Sequence, residues 1–164
     1  ETKIRLLKMF RDEITMSENC NEAQDALERR IKEISKRLVA VLREHDIDPY
    51  SVCDLLKAFE ADSKFGPFFT WSDLLNYCSY SAKPVGRFLL ATIGLNTKIR
   101  DEDKAEFTEL SDKICTGLQL INFAQDIKED AENNRCYIPK CEWPESVEEN
   151  NMISVLRLTG EKKK

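Results

Sequence analysis

Four polar side chains recur along one side of an otherwise apolar stretch between Cys115 and Pro139. Placed on a helix at 100° per residue, they fall within a wedge about 80° wide. They are Gln119, Asn122, Asp126 and Asp130. A surface helix would carry a much broader polar face. Because burying carboxylates is costly unless they are paired or bind a metal, this polar strip is predicted to line a cavity inside a helical protein.

The chemistry of the polar strip favours a hard divalent cation. Asp126 and Asp130 lie one helical turn apart, and Mg²⁺ is commonly held by one or two carboxylates together with waters and substrate phosphates. Asn122 adds a neutral oxygen ligand and Gln119 a hydrogen-bonding amide. No His or Cys stands at matching spacing, which disfavours zinc and iron. The alternative is that both carboxylates are solvated members of the acidic run over residues 129–132, because two aspartates four apart are a weak motif alone.

The longer sequence around these residues is a more specific signal than the two aspartates alone. QLINFAQDIKEDAENNRCYIP resembles the second aspartate-rich motif of the squalene/phytoene synthase family, the head-to-head trans-isoprenyl diphosphate synthases. YCSYSAKPVGR, over Tyr77–Arg87, is similar to a second family segment, and FEADSKF and TWSDLLNYC extend the resemblance over Ser51–Pro139. The sequence of these segments most resembles the bacterial hydroxysqualene synthase branch.

The resemblance implies an all-α fold, an isoprenoid-synthase-type helical bundle truncated at both ends. It implies condensation of two prenyl diphosphates, or onward processing of presqualene diphosphate, through carbocations. Asn122, Asp126 and Asp130 would hold Mg²⁺, which assists departure of the diphosphate. Tyr77 matches a tyrosine close to the reacting carbons, where its ring could steady a cation. The implied catalytic residues are therefore Tyr77, Asp126 and Asp130.

The resemblance also implies substrate contacts. Gln119, Arg135 and Tyr137 would line or contact the diphosphate and its metals, and guanidinium suits phosphate geometry. Ala82, Val85 and Gly86 would face the prenyl channel, where small residues and the Pro84 kink leave open volume. The alternative explanation of these small residues is tight contact between helices. Product identity, substrate length and use of NADPH are left open.

Two departures from the family pattern qualify the prediction. The first aspartate-rich motif of the family is absent, and its expected place lies before Glu1. The chain is therefore predicted to be an internal synthase fragment with half of the metal site, inactive alone. Gln125 stands where many relatives carry a basic residue. The competing hypotheses are a non-catalytic helical assembly or binding protein and, less favoured, a terpene cyclase or head-to-tail prenyl synthase.

Composition bounds the remaining classes. The 164 residues, 34% charged and 41% apolar, indicate one partial synthase domain over 1–164. A net charge of −5 without a basic stripe argues against nucleic-acid binding. Six cysteines without paired spacing predict free thiols. No apolar run is long enough to span a membrane. The resemblance implies a bacterial cytoplasmic protein with peripheral membrane contact for a lipid product.

Apolar periodicity predicts the helices that position these residues. Two are expected over residues 1–17 and 22–44, and a third after Asp48-Pro49. A Thr70–Asp73 capping box is predicted to open a single kinked helix reaching Ile93. The helix from about Glu102 is expected to run unbroken through the polar strip, and residues 140–164 to be a less ordered C-terminal segment.

Overall fold

The chain folds as packed helices in a computed structural model that describes residues 2–16, 23–94 and 99–143. No strand occurs in these ranges. The α-helices are α1 (Thr2–Thr15), α2 (Ala26–Glu44), α3 (Tyr50–Ser63), α4 (Trp71–Ser81), α5 (Lys83–Thr92), α6 (Asp101–Gln125) and α7 (Ile127–Glu132), and a 3₁₀ turn follows over Lys140–Glu142. The all-α prediction is confirmed.

The first three helices share one small core. Ile14 of α1, Leu42 of α2 and Val52 of α3 are buried together. The carboxylate of Asp25 accepts a hydrogen bond from the Glu28 N–H at 2.8 Å and caps the start of α2. The predicted helices over 1–17 and 22–44 are thus confirmed as α1 and α2, and they support α3 from one side.

The predicted helix from Thr70 to Ile93 is in fact two helices. The capping box is confirmed: the Asp73 N–H donates to Thr70 Oγ1 at 3.2 Å, and the Thr70 N–H donates to Asp73 Oδ2 at 2.9 Å. The regular helix is interrupted at the single residue Ala82, which stays in the αR region at φ −114° and ψ −47°, and α5 follows with Pro84 in its first turn. The proline that was expected to kink one helix instead begins a new one, because it needs no N–H partner there.

Helices α5 and α6 make the most extensive helix–helix contact in the described residues. The Arg87 guanidinium donates two hydrogen bonds to Asp112, from Nε at 2.9 Å and from Nη2 at 2.7 Å. Gly86 lies at the closest approach, where an added Cβ would collide with the side chains of Ser111 and Cys115. Gly86 therefore faces α6 rather than an open channel in this structure, which favours the packing explanation of the small residues.

Gly86→Ala is expected to lower the free energy of unfolding of this chain by about 1–3 kcal/mol, because the new methyl group overpacks the contact with α6. Gly117→Ala is the matched control: a Cβ at Gly117 meets nothing within 4 Å. The control should be neutral or stabilising by up to about 1 kcal/mol through helix propensity. Urea unfolding of the two variants measures both changes, and equal effects would contradict the packing explanation.

The helix that carries the polar strip is interrupted where it was expected to be continuous. α6 ends at Gln125 and α7 starts at Ile127, with Asp126 between them at φ −90° and ψ 6°. The Asp126 N–H still donates to the Asn122 carbonyl at 2.9 Å, and the Asp130 N–H donates to the Asp126 carbonyl at 2.8 Å. The spacing of one turn between the two carboxylates therefore survives the break.

Much of the apolar surface of α6 is not covered by the described residues. Phe107, Leu110, Ile114, Leu118 and Ile121 are each 44–62% exposed. At 100° per residue they share a wedge of about 80°, away from the polar strip. This side of α6 is therefore open in the described residues, and its packed side is the one that meets α4 and α5.

The segment after α7 returns to the residues before α4. Asn134 takes φ 56° and closes α7, as the Asn-Asn-Arg sequence predicts. Two backbone hydrogen bonds tie Lys140 and Cys141 to the Phe68 and Phe69 carbonyls, at 2.9 and 3.1 Å. Residues 140–143 are thus held against the segment before α4, and the rest of the predicted less ordered segment over 140–164 lies outside the described residues.

Candidate active site

Tyr77 lies at the centre of an aromatic cluster. Its ring centroid is 5.4 Å from Phe68, 5.8 Å from Tyr137 and 6.2 Å from Phe123. Phe123 and Tyr137 stack nearly parallel, with centroids 4.0 Å apart. Tyr77 is only 4% exposed, so its ring is part of the core of this chain. Its predicted contact with substrate remains a prediction.

The hydroxyl end of Tyr77 is held by a carboxylate. Tyr77 Oη donates a hydrogen bond to Asp62 Oδ1 of α3 at 2.8 Å. Burial and this hydrogen bond raise the pKa of the Tyr77 phenol far above its ordinary value. The phenol is therefore a neutral hydrogen-bond donor at physiological pH.

The polar strip is half-buried, neither sealed in a cavity nor free in solvent. Gln119, Asp126 and Asp130 are partly buried, whereas Asn122 is exposed. The Asn122 amide Nδ2 donates to Asp126 Oδ2 at 2.9 Å, so the two side chains are already brought together. The spacing of one helical turn thus brings Asn122 and Asp126 together as predicted. The predicted enclosed cavity is not found around the polar strip in the described residues.

Asp130 lies in surroundings that disfavour its charged form. Burial, followed by the negative charge of Asp126, raises the pKa of the Asp130 carboxyl above its usual value, and Arg135 opposes the shift. The charged form is therefore disfavoured in the folded chain. This is the electrostatic environment in which a bound cation is stabilising.

Asp130→Asn is expected to raise the free energy of unfolding of this chain at neutral pH by about 0.5–1 kcal/mol. The folded state holds its proton more tightly than the unfolded state, so stability falls as pH rises from the unfolded pKa through the raised folded pKa. The gain should vanish in acid, where Asp130 is itself neutral. Urea unfolding at both pH values measures it, and a variant less stable than the parent at neutral pH would contradict this electrostatic reading.

The donor set fits Mg²⁺. Asp126, Asp130 and the amide oxygen of Asn122 are all hard oxygen donors, and Mg²⁺ takes one or two carboxylates and completes its octahedron with water and phosphate. No cluster of three or more His, Cys, Asp or Glu suited to a metal is found within residues 2–16, 23–94 and 99–143. The described residues thus offer a two-carboxylate site that depends on further ligands, in keeping with a metal shared with a phosphorylated substrate.

The remaining predicted site residues are dispersed. Arg135 is half-buried and Tyr137 is buried in the aromatic cluster. Ala82 is buried at the junction of α4 and α5, and Val85 is 55% exposed. A mostly apolar cleft of about 210 Å³ lies beside Tyr137, between α4, the α6–α7 junction and residues 137–139. Its lining residues include Trp71, Leu74, Phe123, Ile127 and Pro139.

Sequence reasoning missed Asp62. The FEADSKF segment contributed to the family resemblance, but its aspartate was not assigned a role. A signal was present: Asp62 follows Ala58 by four residues, and Ala58 is buried in the same core as Tyr77. An acidic residue one turn from a core position points inward and needs a partner.

A comparison with family models decides the classification. The model described as "Squalene/phytoene synthase" matches residues 1–155. This chain belongs to the squalene/phytoene synthase family. The predicted resemblance to the family is confirmed, and the relatives below confirm its bacterial branch.

Two relatives are named hydroxysqualene synthase. The protein from Sinorhizobium fredii is 38% identical over 104 residues, covering 63% of this chain and 33% of the relative. The protein from Rhodopseudomonas palustris is 37% identical over 100 residues, covering 60% of this chain and 32% of the relative. The chain spans about a third of the length of these curated relatives.

The fold is likewise that of the family. The crystal structure of squalene synthase HpnC from Alicyclobacillus acidocaldarius superposes with a TM-score of 0.55 and 25% identity, covering 86% of this chain and 58% of HpnC. The predicted isoprenoid-synthase-type helical fold is confirmed. Five cysteines of this family member, at positions 53, 78, 115, 136 and 141, are free thiols as predicted, and Cys20 lies outside the described residues. No helix in the described ranges is long and apolar enough to cross a bilayer.

Proposed function

We propose that the complete gene product containing this chain is a head-to-head isoprenoid synthase. Its substrate is farnesyl diphosphate or presqualene diphosphate, and its product belongs to the squalene, hydroxysqualene or phytoene class. Family membership and the hydroxysqualene synthase names of the relatives support this proposal. The proposal places the protein in the bacterial cytoplasm. Because the product is a lipid, the proposal also includes peripheral contact with a membrane.

The observation that carries the proposal is the paired carboxylates of Asp126 and Asp130, half-buried one turn apart, with Asn122 bonded to the first of them. In the proposed reaction these three side chains hold Mg²⁺. When bound, the ion acts as a Lewis acid that stabilises the negative charge of the departing diphosphate. The elevated pKa of Asp130 supports this assignment, since a neighbouring cation would remove the cost of its charge.

The other residues of the site orient the substrate and protect its carbocation. Arg135 lies close enough to Asp130 to affect its pKa, and its guanidinium donates hydrogen bonds to diphosphate oxygens in the proposed complex. Gln119 lines the same polar strip, and the Tyr137 ring forms one wall of the apolar cleft. Apolar walls keep water from a carbocation that it would quench. Ala82 and Val85 remain assigned to the prenyl chain as a proposal.

Product analysis tests the proposal. The complete gene product is incubated with Mg²⁺ and either farnesyl diphosphate or presqualene diphosphate, with and without NADPH, and the lipid extract is identified by mass spectrometry. The proposal expects a C30 or presqualene-derived product that disappears when EDTA replaces Mg²⁺. If a folded, metal-loaded protein consumes neither substrate nor geranylgeranyl diphosphate, the proposal fails and a non-catalytic helical binding protein takes its place.

A further inference from the structure

Asp62 is an acidic residue near the candidate site, and the proposed reaction has given it no role so far. It lies on α3, and the Tyr77 hydroxyl on α4 donates to its Oδ1 at 2.8 Å. Its negative charge contributes to the raised pKa of Asp130, of Tyr80 and of Tyr137. One carboxylate of α3 is therefore bonded to the aromatic cluster through Tyr77, and its charge also acts on Asp130.

The ring of Tyr77 is confined by its neighbours, and its hydroxyl donates to the charged Asp62 carboxylate while the Tyr137 hydroxyl lies close by. Phe68 and Tyr80 meet the ring edge-on with centroids 5.4 Å away, and Phe123 and Tyr137 tilt against it. Ring contacts of this kind restrict the plane of the ring and leave the hydroxyl proton free to rotate. A charged acceptor at 2.8 Å directs that proton, and charge-assisted hydrogen bonds of this type are the stronger ones.

We infer that Asp62 is a positioning residue for the proposed reaction, which holds the Tyr77 hydroxyl in one orientation within the aromatic cluster. This inference rests on the proposed function, since it assigns Asp62 to the same site. Asp62 acts through Tyr77: its carboxylate accepts a hydrogen bond from the phenol and so favours the neutral form of the tyrosine. A neutral phenol is a much weaker nucleophile than a phenolate, so it would not capture a nearby carbocation.

The groups that face Asp62 come from four elements. Tyr77 and Tyr80 lie on α4, Asp130 lies on α7, and Tyr137 follows α7. Lys57, one turn earlier on α3, contributes the nearby positive charge that is felt at Tyr80. Lys57 Nζ donates a hydrogen bond to Asp54 Oδ1 at 2.7 Å and is therefore engaged with another carboxylate. The hydrogen bond that the structure gives Asp62 comes from the Tyr77 hydroxyl.

A double-mutant cycle in the complete gene product tests the inference. Asp62→Ala and Tyr77→Phe are each expected to lower kcat about ten- to a hundred-fold with little change in KM, since a small misplacement of a group at the reacting centre has effects of that size. The double variant should be no slower than the slower single variant, because both substitutions remove the same interaction. Asp62→Asn retains an oxygen acceptor and should recover most of kcat.

The outcomes separate a positioning role from the other roles of a carboxylate. If Asp62→Asn is as slow as Asp62→Ala and needs more Mg²⁺, Asp62 acts through its charge on the metal, and the inference is overturned. It is also overturned if the two single effects multiply in the double variant, or if Asp62→Ala is fully active.

A second measurement keeps failure of the inference distinct from failure of the proposed function. The same cycle is followed by urea unfolding and by titration of the tyrosine absorbance in this chain, where no substrate is needed. Asp62→Ala is expected to lower the pKa of the Tyr77 phenol together with those of Tyr80 and Tyr137, and the part of the change that belongs to Tyr77 should be missing in the Tyr77→Phe background. If the parent protein is inactive but shows this coupling, the proposed function fails and the Asp62–Tyr77 interaction is supported. Absence of the coupling overturns the inference even in an active synthase.

Discussion

Asp126→Asn and Asp130→Asn are each expected to reduce turnover of prenyl diphosphate by the complete gene product about a thousand-fold or more. A metal that stabilises a departing diphosphate contributes several kcal/mol, and each 1.36 kcal/mol is about ten-fold in rate. Asparagine conserves size and one oxygen but removes the charge that holds the cation. Release of inorganic diphosphate, followed at saturating Mg²⁺, measures the effect.

The matched control for these variants is Glu132→Gln. Glu132 ends α7 close to both aspartates in sequence, but it is exposed and lies 4.0 Å from the equally exposed Lys128. Exposed ion pairs of this kind contribute little, so its turnover should match that of the parent. Full activity in both aspartate variants would refute the metal assignment, and equal loss in the control would show a general effect of negative charge on α7.

Phe123→Ala is expected to lower the free energy of unfolding of this chain by about 3–5 kcal/mol, which is the range for truncating a buried Phe. Phe123 is buried and stacks on Tyr137 with centroids 4.0 Å apart, and it also contacts Tyr77. Its loss removes dispersion contacts and leaves a void in the cluster beneath the polar strip. Urea unfolding followed by far-UV circular dichroism measures the change.

Phe107→Ala on the same helix is the control for Phe123. Phe107 is 44% exposed and belongs to the uncovered apolar side of α6, so its truncation should change stability by about 1 kcal/mol or less. The comparison therefore separates burial from residue type. Equal destabilisation by both substitutions would mean that the aromatic cluster is not the core of this chain.

Local signals in the sequence predicted the parts of the fold that local interactions determine. The Thr70–Asp73 box opens α4 because both partners lie within one helical turn. The juxtaposition of Asn122 with Asp126 follows from their spacing, and the closing of α7 at Asn134 follows from the tolerance of Asn for positive φ. Each of these features needs information from only four or five consecutive residues.

The features that the sequence did not reveal depend on contacts between distant segments. The approach of Gly86 to Ser111 and Cys115 is set by the packing of α5 on α6, and a glycine at a helix contact looks the same in sequence as one beside a channel. The Asp62–Tyr77 bond joins two helices across a turn. Periodicity also cannot tell an apolar helix face that is covered from one that is not, as Leu118 at 60% exposure shows.

The central claim is that Asp126, Asp130 and Asn122 hold the divalent metal on which substrate diphosphate binds. Crystals of the complete gene product grown with Mn²⁺ and an unreactive thio-analogue of farnesyl diphosphate test it directly, through the anomalous scattering of the metal. The account predicts an anomalous peak in ligand contact with the carboxylates of Asp126 and Asp130 and with the diphosphate. Diphosphate and metal bound elsewhere, with both aspartates pointing into solvent, would contradict it.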